Sequence, residues 1–197
     1  LSAINGIVPI MISDEVWKMV EERKQPVRAR FLNLSVWKKA ISEWGSWGHP
    51  YPTSMPTSLI IGLGRAVDLA LEEGLENRYC RHRISGRAMR EGIRALGLKV
   101  LADEEVASDT VTVVEFPEGI DADRVRETLY NEYDIMVAGT GAFVPVKGVR
   151  IAHMGITASQ KFIIPTLAAL GATLSNLGMK VKVGSGIEAA LNVYRTK

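Results

Sequence analysis

An arginine in a short, late apolar segment is the residue whose type and setting best suit recognition of an anion. Residues 149–154 predict a strand, and the period-two alternation of a strand places Arg150, Ala152 and Met154 on one face. A guanidinium group beside small and flexible side chains can hold a carboxylate through two parallel hydrogen bonds. The same arginine could instead form a structural ion pair, so the sequence leaves both interpretations open.

Three hydroxyl-bearing residues lie in a proline-rich segment just before a predicted long helix. They are Tyr51, Thr53 and Ser54. Hydroxyl groups near the start of a helix can bind a phosphate group together with backbone N–H groups. Serine, threonine and proline are also common in ordinary loops, so this segment alone indicates a phosphate site only weakly.

The remaining candidates for chemistry point to no site. Cys80, the single cysteine, lies in a predicted helix among cationic residues, where a nucleophilic thiol is unusual. A single cysteine excludes an intramolecular disulfide and any metal site built from several cysteines. His49, His82 and His153 are scattered without the spacing of metal ligands, so the sequence predicts no metal site.

The composition is that of a globular protein and excludes several classes. The chain has 197 residues, of which 47% are hydrophobic and 23% are charged. This rules out a disordered tail, a coiled coil and a fibrous repeat. The net charge of +2 is too small to indicate a nucleic-acid partner or an anionic membrane surface.

The best candidate for a membrane span, Phe162 to Leu174, is too short and contains Pro165 and Gly171. Low cysteine usage fits a reducing compartment.

The elements that must position these residues fall into two parts. Residues 1–56 predict a turn, a lone strand over residues 7–12, a helix after Ser13 and a second helix capped by Asn33 or Ser35. This order is typical of the tail of a larger domain followed by an inter-domain loop. Residues 57–197 predict a linking helix and a small α/β domain. The linking helix, residues 57–73, is apolar nearly all round, so we expect it to be buried between layers. We expect strands at 98–101, 110–116, 135–137 and 149–154, and helices at 76–96, 121–133, 158–177 and 185–194.

Several short segments, in this order and spacing, carry a resemblance to a known family. They are Leu1–Gly6, Tyr51–Ile60, Glu72–Glu76, Arg81–Arg83, Asp109–Val114 and Val149–Gly155. Over essentially its full length the chain resembles the C-terminal half of class V aminotransferases, which are fold-type I pyridoxal phosphate enzymes that include alanine–glyoxylate and serine–pyruvate aminotransferases. The closing stretch, Ala168 to Val193, is similar to pyridoxamine–pyruvate aminotransferase of the same class.

The resemblance implies a role for each candidate residue. Arg150 matches the arginine that holds the substrate α-carboxylate. Tyr51 and Ser54 match residues that contact the phosphate of pyridoxal 5'-phosphate bound in the neighbouring subunit, and Thr53 between them is taken as a third cofactor-binding residue. The Schiff-base lysine belongs immediately before Leu1, so the resemblance implies no catalytic residue within this chain.

The resemblance also implies an activity and a fold. The activity is transfer of an amino group between a small amino acid and a 2-oxo acid such as pyruvate or glyoxylate, in a cytoplasmic homodimer. The fold is a small α/β domain with a mostly antiparallel sheet and covering helices, plus the last strand and helices of the large domain. Pyridoxamine–pyruvate aminotransferase and a non-catalytic α/β dimerisation module remain as alternatives. A cysteine desulfurase needs a cysteine on a mobile loop, which Cys80 does not provide.

Overall fold

The chain forms two compact units. The computed structural model describes residues 2–48, 50–142, 144 and 146–196. Ala3–Ala66 form the N-terminal unit, and residues 67–196 together with Ser2 form the C-terminal unit. The predicted boundary at residue 56 concerns the domains of a longer protein and stays a prediction.

Helix-capping residues set the starts of the first two helices of the N-terminal unit. The side chain of Ser13 accepts a hydrogen bond from the backbone N–H of Val16 at 3.4 Å, and that of Asn33 accepts one from Ser35 at 3.1 Å. Such caps satisfy N–H groups that have no partner within the helix. The described helices are α1 (Asp14–Glu21), α2 (Leu34–Lys39), which continues as a π-helical turn (Ala40–Trp44) and a 3-10 turn (Gly45–Trp47), and α3 (Thr57–Glu73).

The predicted strand over residues 7–12 is not formed. These residues have no regular secondary structure, and the side chains of Val8, Ile10 and Met11 are 77%, 73% and 97% exposed. A strand is stable only when a neighbouring strand pairs with its backbone groups. No strand in the described part of the N-terminal unit pairs with this segment, so residues 7–12 do not form the predicted strand within the described chain.

Helix α3 has the predicted bounds but not the predicted burial. Of its residues, Ala70 is buried, whereas Ile61, Leu69 and Leu71 are 67%, 49% and 63% exposed. The apolar sequence explains why burial was expected. The side chains that would cover these residues are therefore not supplied by the described chain.

The C-terminal unit is the predicted small α/β domain with an antiparallel sheet. The four-stranded sheet has the order β1-β2-β4-β3, and every neighbouring pair is antiparallel. The strands are β1 (Lys99–Val100), β2 (Val111–Glu115), β3 (Ala138–Gly139) and β4 (Gly148–Ala152), and the helices are α4 (Leu75–Ala95), α5 (Ala122–Tyr133), α6 (Gln160–Asn176) and α7 (Val183–Arg195).

Strand β3 lies later in the chain than predicted. The sequence predicted a strand at residues 135–137, but Asp134 adopts a left-handed conformation (φ +56°) that ends α5. The backbone N–H of Ile135 then donates to the carbonyl of Leu129 at 2.9 Å. Because this N–H completes the end of the helix, the ladder begins only at Ala138.

One hydrophobic core lies between one face of the sheet and the helices. Its fully buried members come from helices and inner strands alike, including Met89, Val114, Leu129, Val149 and Leu170. The opposite face of the sheet is more exposed, since residues of β2 and β4 alternate between the two environments. This open face carries the candidate site.

Helices α4 and α7 approach each other closely at two glycines. A Cβ atom on Gly186 would lie 2.8 Å from Cγ of Leu96 and 3.0 Å from the carbonyl oxygen of Gly92. Only a residue without a side chain fits at this contact.

Across the described residues, no helix combines the length and apolar character needed to cross a bilayer.

Candidate functional site

Arg150 lies on the open face of the sheet, near its centre. Strand β4 is flanked by β2 and β3, and Arg150 stands opposite Val113 on one side and Ala138 on the other. The side chains of Val149 and Ile151 point into the core and are 0% and 3% exposed, whereas that of Arg150 is exposed. The alternation predicted for this strand is therefore confirmed.

One nitrogen atom of Arg150 is already held by the backbone. Its Nε donates a hydrogen bond to the carbonyl of Gly139 at 2.8 Å. Among the described residues, no carboxylate lies within ion-pairing distance of its guanidinium group. The acid on the same face, Glu115, pairs with Lys99 of β1 at 2.7 Å. The outer edge of the guanidinium group is thus oriented and open to a ligand. No carboxylate of the described residues forms the structural ion pair that the sequence left open as the other interpretation.

The surroundings of Arg150 on this face are mostly apolar. Val113 and Ala138 stand opposite Arg150, and Ala152 lies two residues further along β4. Met154 follows on the same side and is 47% exposed. A carboxylate bound beside apolar groups is partly shielded from water, which strengthens its attraction to a cation. The face therefore suits a small ligand with one carboxylate and a short apolar part.

The three predicted phosphate ligands lie together in the loop before α3. Tyr51 and Thr53 are half-buried and Ser54 is exposed. The loop is held by Arg30, whose Nη2 donates to the carbonyl of Pro52 at 3.3 Å. Within the described residues, the hydroxyl groups of Thr53 and Ser54 make no hydrogen bond. Free hydroxyl donors next to the start of a helix fit the chemistry of a phosphate group.

The predicted site residues therefore belong to two units. Tyr51, Thr53 and Ser54 lie in one loop of the N-terminal unit, and Arg150 lies in the C-terminal unit. The structure brings the three hydroxyl residues together. Their roles, like that of Arg150, stay predictions.

Arg81 of α4 binds the turn that follows β4, a role that the sequence did not predict. Its Nε and Nη2 donate to the carboxylate of Glu73 at 2.5 and 3.0 Å. Its Nη1 donates to the backbone carbonyls of Gly155 and Ala158 at 2.7 and 2.8 Å. Hydrogen bonds from Arg81 also lower the pKa of the Glu73 carboxyl, so the pair remains charged. Arg81 thereby connects the end of α3, helix α4 and the exit of β4.

His82 binds the same turn from the neighbouring position. The backbone N–H of Gly155 donates to Nε2 of His82 at 2.9 Å. Since Nε2 accepts, the ring proton resides on Nδ1, which donates to the carbonyl of Arg78 at 2.7 Å. The sequence signal was the segment Arg81–Arg83, which was one of those that carried the resemblance.

Ser2 fills the space above Gly155. Gly155 has φ +59°, and a Cβ atom there would lie 1.9 Å from Oγ of Ser2. The backbone N–H of Ile156 donates to this Oγ at 3.0 Å. Ser2 itself adopts φ +57°, a conformation that non-glycine residues seldom adopt. The turn after β4 is thus held by α4 and by the start of the chain.

His153 is a buried structural residue. Its Nε2 lies 2.8 Å from Oγ1 of Thr112 and its Nδ1 lies 3.1 Å from the carbonyl of Asp109. Burial lowers the pKa of His153 to about 4.

The sequence predicted no metal site from the three histidines, His49, His82 and His153. Of these, His49 lies outside the described residues. Among the described residues, no cluster of histidine, cysteine and acidic side chains could hold a metal ion. Cys80 is exposed on α4.

Comparisons with known proteins define the class. No family model matches the chain. It is 38% identical to an uncharacterized aminotransferase of Methanocaldococcus jannaschii and 35% identical to pyridoxamine–pyruvate transaminase of Mesorhizobium japonicum, in each case over 98% of the chain and 48% of the relative. It is 31% identical to (S)-ureidoglycine–glyoxylate transaminase of Bacillus subtilis over 98% of the chain and 50% of that protein.

Solved structures show similarity to the same two kinds of aminotransferase. The crystal structure of pyridoxamine–pyruvate aminotransferase from Mesorhizobium loti superposes with a TM-score of 0.83 at 34% identity, covering 94% of this chain and 46% of that one. Ureidoglycine–glyoxylate aminotransferase from Bacillus subtilis gives a TM-score of 0.80 at 31% identity, covering 92% and 46%.

These relatives are aminotransferases, and the fold of the chain is that of the C-terminal part of fold-type I aminotransferases, as the resemblance predicted. More narrowly, the chain is similar to the C-terminal half of class V aminotransferases. It spans about half the length of the curated relatives that it matches.

Proposed function

We propose that the full-length protein is a pyridoxal 5'-phosphate-dependent aminotransferase that moves an amino group between a small amino acid and a 2-oxo acid such as pyruvate or glyoxylate. The observation that carries the proposal is the guanidinium group of Arg150, which is oriented by Gly139, open to a ligand and surrounded by apolar side chains. Amino acids and 2-oxo acids share one α-carboxylate, which such a group binds in the same way.

The residues of this chain would bind and orient. Arg150 would fix the carboxylate and thereby the direction of the bonds at the α-carbon. Tyr51, Thr53 and Ser54 would hold the phosphate of the cofactor, whose ring supplies an electron sink when bound. The lysine that bonds to the cofactor is proposed to precede Leu1.

The proposal includes the oligomeric state of the full-length protein and its location in the cell. A homodimer in which Tyr51 and Ser54 contact the cofactor of the neighbouring subunit is supported by the exposed apolar side chains of α3, which need a cover. A cytoplasmic location is supported by the single free cysteine, Cys80.

Similarity to pyridoxamine–pyruvate transaminase favours a second candidate, in which pyridoxamine is the amino donor. Pyridoxamine has no carboxylate, whereas pyruvate has one. In that case Arg150 would bind the carboxylate of the oxo acid and would not contact the amino donor. The KM values of an Arg150 variant for donor and acceptor therefore distinguish the two candidates.

The test uses the full-length protein with added pyridoxal 5'-phosphate. Reduction with borohydride followed by peptide mass analysis should find a pyridoxyl adduct on the lysine before Leu1, and incubation with alanine and glyoxylate should yield pyruvate. The 197-residue chain, treated in the same way, should not produce pyruvate. A full-length protein with neither adduct nor product would favour the non-catalytic dimerisation module instead.

A further inference from the structure

Two successive residues of α4 bind the backbone of Gly155 in the turn after β4. Arg81 donates to the carbonyls of Gly155 and Ala158, and His82 accepts from the N–H of Gly155. The N–H and the carbonyl of one glycine are therefore both bound by successive residues of α4. Such paired contacts fix the position of the peptide, and not merely its burial.

The groups on α4 are themselves held in place. The carboxylate of Glu73 binds two nitrogen atoms of Arg81, and the carbonyl of Arg78 accepts from Nδ1 of His82. Both side chains are half-buried, so water competes less for these hydrogen bonds. We call Arg81, His82 and Gly155 the α4 clamp.

The α4 clamp connects two parts of the proposed site. Upstream of Gly155, strand β4 carries Arg150, and its pairing with β2 ends at Ala152. On the other side of the turn, the N–H of Ile156 donates to Ser2. Ser2 retains a left-handed backbone conformation there, which costs energy for a residue with a side chain. The start of the chain and the strand of Arg150 thus meet at one rigid turn.

We infer that Arg81 and His82 are positioning residues of the proposed aminotransferase. They fix the turn at Gly155 and so set the distance between Arg150 and Ser2. The inference rests on the proposed function, in which the cofactor-binding lysine lies close to Ser2 in the sequence. A displacement of about 1 Å between two groups that orient a substrate can lower the rate about a hundredfold.

The two principal variants separate the ring of His82 from its hydrogen bond to Gly155. In His82→Phe the ring is retained but no atom accepts from Gly155, whereas in His82→Gln the side-chain carbonyl can accept. Cys80→Ala is the matched control, because Cys80 is an exposed residue of the same helix. The experiment uses the full-length protein.

The first measurement is hydrogen exchange of the peptide covering residues 149–158 in cofactor-free protein. We expect exchange at least tenfold faster in His82→Phe than in wild type, and wild-type exchange in His82→Gln and Cys80→Ala. The second measurement is kcat/KM per bound cofactor, with occupancy read from the absorbance of the bound cofactor. We expect His82→Phe to lose tenfold or more at unchanged occupancy, and His82→Gln to recover to within about threefold of wild type.

Ser2→Ala serves as a second variant because Ser2 is exposed and its replacement leaves the core intact. We expect faster exchange at Ile156 and a kcat/KM at least threefold lower. If His82→Phe does not fold, Arg81→Lys decides the question, because lysine keeps the charge but cannot donate to Glu73 and to both carbonyls in the same geometry. Unchanged exchange and unchanged kcat/KM in Arg81→Lys would then overturn the inference.

Three other results would also overturn it. They are unchanged exchange in His82→Phe, unchanged kcat/KM per bound cofactor despite faster exchange, and equal losses in His82→Phe and His82→Gln. A wild-type protein that forms no pyridoxyl adduct contradicts the proposed function instead, and with it the catalytic meaning of the α4 clamp. This failure is distinguishable because the exchange measurement needs no cofactor.

Discussion

Arg150 projects from an inner strand with its Nε bound to Gly139 and the rest of its guanidinium group open. The loss of a charge-assisted hydrogen-bonded pair costs about 1.5–3 kcal/mol. We therefore expect Arg150→Ala in the full-length protein to raise KM for both the amino acid and the 2-oxo acid tenfold or more. Steady-state kinetics with each substrate varied in turn measures this.

Arg87→Ala, which changes an exposed arginine of α4, is the control and should leave both constants unchanged. An unchanged KM in Arg150→Ala would remove Arg150 from the site. A rise for pyruvate alone, with pyridoxamine as donor, would support the second candidate.

At the scale of the residue, the sequence predicted which face of β4 carries Arg150, but it did not predict the contacts of the α4 clamp. Alternation along β4 sufficed to expose Arg150 and bury His153, because a strand has only two faces. The contacts of Arg81 and His82 with Gly155 join residues more than seventy positions apart in the chain. Helical periodicity describes only the local face of α4, so it carries no information about which distant turn those side chains reach.

The packing of α7 against α4 depends on a glycine that tolerates no side chain. In Gly186→Ala the new Cβ would lie within 3.0 Å of Leu96 and of the carbonyl of Gly92. Overpacking of this kind costs about 1–3 kcal/mol, so we expect a lower Tm. Gly184 of the same helix has no atom within 4 Å of an added Cβ, and Gly184→Ala should leave Tm unchanged or raise it.

Thermal unfolding of the two variants beside wild type provides the measurement. Equal Tm values for Gly186→Ala and wild type would show that Leu96 and the two helices move apart without cost. A decrease in both variants would indicate instead that the start of α7 does not tolerate alanine for a local reason.

At the scale of the element, prediction succeeded where the signal is local and failed where it depends on a partner. Ser13 and Asn33 cap helices as expected because a cap is made within four residues. The segment 7–12 has the composition of a strand, but a strand needs a second strand beside it. The shift of β3 to Ala138 has the same origin, since the backbone of Ile135 is used by the end of α5.

The acid stability of the molecule should reflect its buried histidine. Burial lowers the pKa of His153 from 6.5 to about 4, so the unfolded chain binds a proton between these values and the folded chain does not. The free energy of unfolding should therefore fall as the pH is lowered from 6.5 to 4, and this contribution is fully present above pH 6.5. At about 1.4 kcal/mol per pKa unit, the contribution is roughly 3 kcal/mol.

Unfolding in urea between pH 6.5 and 4.5 isolates this effect. Hydrogen bonds from Arg90 lower the pKa of Glu104 from 4.5 to about 2, so the stability that Glu104 contributes is lost only below pH 4.5. In His153→Gln the dependence on pH between 6.5 and 4.5 should be weaker than in wild type. An equally steep decrease in this variant would assign the effect to another group.

At the scale of the whole protein, the proposed sharing of cofactor contacts between subunits can be tested by mixing. One variant lacks the lysine before Leu1, and the other carries Tyr51→Phe and Ser54→Ala. If the contacts cross the interface, each mixed dimer contains one intact site, and activity should reappear after subunits exchange. Contacts within a subunit would give mixed dimers without an intact site, so activity would stay absent.

Both outermost strands of the sheet, β1 and β3, are only two residues long. So short a border offers few unpaired backbone groups to which a strand of another molecule could add. Fibril-like growth by extension of this sheet is therefore disfavoured. Aggregation of the isolated chain on heating should begin instead at exposed apolar side chains such as Ile61 and Met11.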